Sequence, residues 1–154
     1  VINSANKESD VQSYIKKNKK WFIPLSILKA YDFGHHFSCV VPEYNLGAEY
    51  RLDYLLIGKN SLGYQFVFVE FEDVNVEYKL KTENSESNKV RKGLSQIRDW
   101  KRWINQNINY FLNADGIKEF TSNQLRGELQ REVDVTIMSY DRLVDYVALL
   151  HNGI

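Results

Sequence analysis

Cysteine, proline and methionine are all scarce in this chain: one Cys, two Pro and one Met among 154 residues. A lone thiol at Cys39 excludes an internal disulfide and any cysteine-based zinc cluster, and it fits a reducing compartment, so a cytoplasmic location is expected. No apolar run approaches the roughly 20 residues that span a bilayer, so no membrane partner is expected. Nothing near Val1 joins a basic start to an apolar stretch and a small-residue cleavage site, so no signal peptide is read there. The chain opens on Val1 and not on Met, which predicts a piece cut from a longer protein. An excess of either charge is missing too, because twenty Lys and Arg balance twenty Asp and Glu. Any pull on a polyanion must therefore come from local clustering. No glycine-rich phosphate loop and no Ser/His/Asp arrangement stands out, and His35, His36 and His151 lack metal-ligand spacing with Cys39 or with one another.

What is present is the profile of a folded domain: 44% hydrophobic, 14% aromatic and 26% charged residues. The length suits one core, so residues 1–154 are read as a single unit without repeats or low-complexity tracts. Val11, Tyr14 and Ile15 at helical spacing predict a short helix over Glu8–Lys20. A second short helix is expected over Leu25–Ala30 and a strand over Phe37–Val41, ending before Pro42. Tyr50–Ile57, a turn over Gly58–Gly63 and the Phe- and Val-rich Tyr64–Glu72 predict a β-hairpin. Val74–Ser87 is polar and aperiodic, as in a loop or lid. Val90, Leu94, Ile97, Trp100 and Ile104 mark a long amphipathic helix from Asn88 to about Asn107. After a turn at Asp115-Gly116, a strand over Val133–Met138 and a helix over Tyr140–His151 complete the order.

Carboxylates stand where strand chemistry does not favour them. In Val67-Phe68-Val69-Glu70-Phe71-Glu72-Asp73, alternation puts Glu70 and Glu72 on one face with Phe66 and Phe68, and Val67, Val69 and Phe71 on the other. Two like charges on a partly apolar face repel unless a cation sits between them. Asp53, inside the apolar run Leu52–Ile57, could complete an oxygen-rich site, since Mg²⁺ takes a few carboxylates plus waters. The alternative is a wet strand face, with both glutamates solvated and Asp53 paired to Arg51 or a lysine.

The blocks Glu49-Tyr50-Arg51-Leu52-Asp53-Tyr54, Val69-Glu70-Phe71-Glu72, Gln96-Ile97-Arg98-Asp99-Trp100 and Ser139-Tyr140-Asp141-Arg142-Leu143 resemble, in that order, the nuclease domain of Shedu-type anti-phage defence proteins. That resemblance implies an α/β fold of the PD-(D/E)XK superfamily, with a mixed central sheet flanked by helices. It implies a metal-dependent DNA endonuclease using Mg²⁺ or Mn²⁺, with DNA as partner and self-association in the full-length protein. Carried over position by position, Asp53 and Glu70 hold the metal, with Glu8 on the first helix as an additional ligand for which Asp10 competes. Glu72 takes the place of the superfamily's usual lysine, as an acceptor for a second ion or for a proton of the attacking water. Gln96 reaches the site from the long helix.

Around the start of that helix Lys89, Arg91, Lys92 and Arg98, with Lys101 and Arg102, outnumber the nearby acids and offer a phosphate-tracking surface. Basic runs on amphipathic helices are more often solvated faces. Trp100 and Trp103 have the spacing of core residues more than of base-stacking ones. Two further readings stay open: a catalytically silent relative that binds nucleic acid or a partner chain, and an assembly domain exploiting the aromatic residues.

Overall fold

The structure, a computed structural model, describes residues 8–61, 63–71 and 88–121. Helix α1 (Glu8–Lys17) buries Val11 and Ile15, one turn apart on the same face. Its last turn carries Lys16 and Lys17, where positive charge suits the helix dipole. The expected second helix is two short ones, α2 (Phe22–Leu25) and α3 (Ile27–Ala30), meeting at Ser26. Ser26 is fully buried, and its hydroxyl donates to the Ile23 carbonyl at 2.6 Å, which satisfies the one polar side chain at that joint.

Strand β1 (Phe37–Pro42) runs antiparallel to β4 (Tyr54–Asn60), which in turn runs antiparallel to β5 (Gly63–Val69), so β4 is the centre of a three-stranded sheet. β1 includes Pro42, which needs no ladder hydrogen at an edge. The β4–β5 turn is tighter than Gly58–Gly63, since the ladder continues to Asn60 opposite Gly63. Gly58 lies within β4, where an added Cβ would stand 3.0 Å from the Gly34 nitrogen and from the Phe33 Cβ. The strand needs glycine there because the chain entering β1 crosses directly over it.

Tyr50 and Arg51 do not belong to the β4–β5 hairpin. They form β3 (Tyr50–Arg51), paired with β2 (Asn45–Leu46), and this small ladder continues the register of β1 and β4 beyond a bend. Two backbone bonds bridge the bend: Glu43 donates to the Asp53 carbonyl and Leu52 to the Tyr44 carbonyl, both at 2.8 Å. Glu43 adopts a left-handed φ of 55°, uncommon for a residue with a side chain.

The sheet lies between two apolar layers. Tyr54, Leu56, Val69 and Phe71 pack with Val11 and Ile15 of α1 and with Ile23, Ile27 and Leu28 of α2 and α3. Leu55, Ile57, Phe66 and Phe68 pack against α4 (Asn88–Asn113), through Trp100, Trp103, Phe111 and Leu112, and toward α5 (Lys118–Thr121) through Phe120. Phe66 and Phe68 meet Phe111 edge-on at 5.3 and 5.7 Å between ring centres, and Phe68 meets Trp100 at 6.4 Å. Such aromatic pairs contribute about 0.5–1.5 kcal/mol each beyond burial. Helix α4 runs past the expected end, but its regular geometry breaks at Asn107, where φ is −123°. The amide of Asn107 donates to the Trp103 carbonyl at 3.0 Å across that break.

The result is an α/β domain with helices on both faces of a small sheet. The expected sheet was mixed; every pairing among the described strands is antiparallel. The expected loop over 74–87, strand over 133–138 and helix over 140–151 lie outside the described residues.

Candidate active site

The β4–β5 ladder ends at Tyr54 opposite Val69, and Asp53 and Glu70 stand one residue beyond that last pair. Alternation fails at this end of β4. Leu52 packs in the α4 layer and Tyr54 in the α1 layer, although residues two apart on a regular strand share a face. The bend that separates them turns at Asp53, which is half-buried. Its Oδ2 accepts a hydrogen bond from the backbone N–H of Phe71 at 2.7 Å, so the carboxylate holds the chain just beyond β5.

Glu70 follows from the face that Phe66 and Phe68 establish. Those rings point to α4, and from α4 the Nε2 of Gln96 donates to Glu70 Oε1 at 2.9 Å. Both side chains are half-buried. Gln96 sits on the helix one turn before Trp100, which is only 2% exposed, so packing of the tryptophan fixes the position of the amide.

From the opposite layer, the Gln12 side chain on α1 hydrogen-bonds Asp53. One turn further along α1, Lys16 Nζ lies 2.8 Å from Glu43 Oε1, and Arg51 Nη2 lies 2.7 Å from the same oxygen. Arg51, one of the expected alternatives as a partner for Asp53, thus bonds Glu43. Burial pushes the Asp53 carboxyl above its ordinary range and outweighs the opposing bonds from Phe71 and Gln12 and the charge of Lys16. Glu43 goes the other way, lowered by the hydrogen bond and charge of Lys16. Beside Asp53, the Tyr54 phenol is pushed up to about 12, first by burial and then by the charges of Asp53 and Glu43. The Tyr54 hydroxyl is buried without a hydrogen-bond partner among the described residues, as is the Trp100 indole nitrogen.

The remaining expected site residues are placed as follows. Glu72 lies outside the described residues, and Glu8 is the first residue of α1. Lys89 is within α4, and Arg91, Lys92 and Arg98 are exposed on that helix. Gln12, Lys16 and Glu43 are the residues that sequence reasoning passed over. A polar residue on an amphipathic helix carries no signal of its own, and only the bend at Asp53 brings α1 within reach.

Among the described residues, no group of three or more His, Cys, Asp or Glu side chains is placed to hold a metal ion. Asp53 and Glu70 supply hard oxygen donors, the type Mg²⁺ takes when one or two carboxylates are completed by water and substrate oxygens. Among the described residues no helix is long and apolar enough to cross a membrane.

The fold and this site define a domain with helices on both faces of a small sheet and two carboxylates just beyond one end of its central hairpin, each bonded by an amide from a different helix. The family model described as Shedu protein SduA, C-terminal, matches residues 5–126, and the chain belongs to that family. Membership suggests a role in anti-phage defence. No curated protein and no solved structure matches the chain.

Proposed function

We propose that this chain is a metal-dependent DNA endonuclease domain with a PD-(D/E)XK core, the effector part of a bacterial anti-phage defence protein. The observation that supports it best is the placement of Asp53 and Glu70 beyond the last pair of two adjacent strands, with Gln96 bonded to Glu70. Family membership gives the defence context.

The donor set fits a hard divalent cation. Asp53 is raised by burial, and a cation beside it would offset that cost of holding the charged form. Asp53 and Glu70 would hold Mg²⁺ or Mn²⁺, with Glu72 as an additional acceptor. When bound, the ion would lower the pKa of a water, polarise a phosphoryl oxygen and neutralise developing charge. Glu72 would take the proton from the attacking water. Gln96 would orient Glu70 through its donated hydrogen bond and present its own carbonyl oxygen toward a ligand. The exposed Lys92 and Arg98, with Arg91 and Lys89, would meet DNA phosphates along α4.

The test uses the full-length protein with supercoiled plasmid and linear duplex, in Mg²⁺, in Mn²⁺ and with chelator. Nicked or linear product with either cation and none with chelator is expected, with Asp53→Asn and Glu70→Gln inactive. An intact plasmid under every condition would favour the silent binding module.

A further inference from the structure

Two residues one turn apart on α1 grip the two residues that face each other across the bend. Gln12 hydrogen-bonds the side chain of Asp53, and Lys16 pairs with Glu43 at 2.8 Å. Glu43 and Asp53 are themselves joined by a backbone bond of 2.8 Å. The helix that makes this grip is anchored immediately beside it, because Val11 and Ile15 are both 0% exposed. Asp53 needs such an anchor. It has left the regular ladder, and its Oδ2 is held from the β5 side by Phe71.

We propose that Gln12 is a positioning residue for Asp53, aiming the carboxylate toward a divalent cation shared with Glu70. This rests on the reading of Asp53 and Glu70 as metal ligands. The residue type suits the task. A lysine at Gln12 would neutralise the carboxylate and compete with the cation, and a glutamate would repel it, whereas an amide donates one neutral hydrogen bond and leaves the remaining lone pairs available. Gln12 then does for Asp53, from α1, what Gln96 does for Glu70 from α4. Asp53 is thus bonded from α1 and Glu70 from α4.

The test is Mn²⁺ binding to the full chain, measured by calorimetry without DNA, for wild type and Gln12→Met, with thermal unfolding of each. Methionine keeps the length and apolar contact of the side chain and removes the donor. Loss of an outer hydrogen-bond partner of a metal ligand weakens binding about 10- to 100-fold, and a loss in that range with a nearly unchanged unfolding midpoint is expected. A purely structural role would lower the midpoint and leave the affinity of the folded protein unchanged, which would overturn the proposal. No Mn²⁺ binding by wild type would overturn the metal-site reading and this proposal together; equal binding by both proteins would overturn this proposal alone. If Gln12→Met does not fold, the Gln12 side-chain NH₂ resonances of wild type decide. They should shift as Mg²⁺ is added, and resonances that stay fixed while those around Glu70 move would overturn the assignment.

Discussion

Gln96 and Glu70, on different elements and facing each other over 2.9 Å, join the long helix to the end of β5. The bond links a neutral amide to a carboxylate, a pairing worth about 1.5–3 kcal/mol when partly buried. Gln96→Leu should therefore cost stability within that range and reduce plasmid cleavage by about 10- to 100-fold, as expected when a ligand loses its orienting partner. Chemical denaturation and cleavage rates on the same preparation check both. A variant that loses stability but cleaves at the wild-type rate would confine Gln96 to a structural part.

Asp53 separates function from stability. Its carboxyl is raised by burial, so the folded state binds the proton more tightly than the unfolded chain does. The contribution to stability is then most favourable below the ordinary aspartate range and declines as pH rises through the raised value. At neutral pH Asp53→Asn should be at least as stable as wild type in the absence of metal, because the amide oxygen still accepts from Phe71 and no charge is buried. Cleavage should vanish. Asp53→Ala leaves the Phe71 N–H without its acceptor and should cost about 1–3 kcal/mol. Denaturant midpoints between pH 4 and pH 8 read the first effect, and a midpoint for wild type that climbs with pH relative to Asp53→Asn would contradict it.

Tyr54 is fully buried, and its hydroxyl has no hydrogen-bond partner among the described residues. The ring is well used, packing at 5.4 Å from Phe71, but the oxygen is a buried polar atom without compensation. Tyr54→Phe keeps the ring and removes the oxygen. It should raise stability by about 1 kcal/mol, measured by denaturant unfolding. A loss of stability would mean that the hydroxyl bonds an ordered water.

In the proposed nuclease reading Glu72 stands in place of the PD-(D/E)XK lysine, and that part of the reading can be tested directly. If its acceptor oxygens serve metal or water, Glu72→Gln should abolish cleavage by the full-length protein with the fold intact by circular dichroism. Glu72→Lys should not restore it, because a positive charge beside Glu70 competes with the cation. Cleavage at the wild-type rate in Glu72→Gln would remove this residue from the catalytic set.

The parts of the fold legible in the sequence are those where one period dominates. Alternation of Phe and Val reveals the central hairpin, and the stripe through Ile97, Trp100 and Ile104 reveals the long helix. Cross-strand logic also puts Asp53 and Glu70 at the same end of that hairpin, each one residue beyond its last pair. The small β2–β3 ladder was hidden because two-residue strands have no period, and Tyr50–Arg51 merged with the apolar run after it. The left-handed Glu43 gave no signal either, because Glu is not a residue that local preference assigns to such a turn. Gln12 depends wholly on that bend. Gln96 was singled out through family resemblance alone, since an amide on a helix surface has no periodic mark.

Gly47, at the tip of the small ladder, has φ +61° and lies so close to α4 that an added Cβ would come within 2.9 Å of the Trp103 ring. Trp103 and Gln96 are two turns apart on the same helix. The glycine thus lets the hairpin tip seat directly against the Trp103 ring on the helix that also carries Gln96. A side chain at Gly47 would press on Trp103, two turns along α4 from the amide that bonds Glu70, so a hairpin tip with no chemistry of its own bears on the seating of that helix.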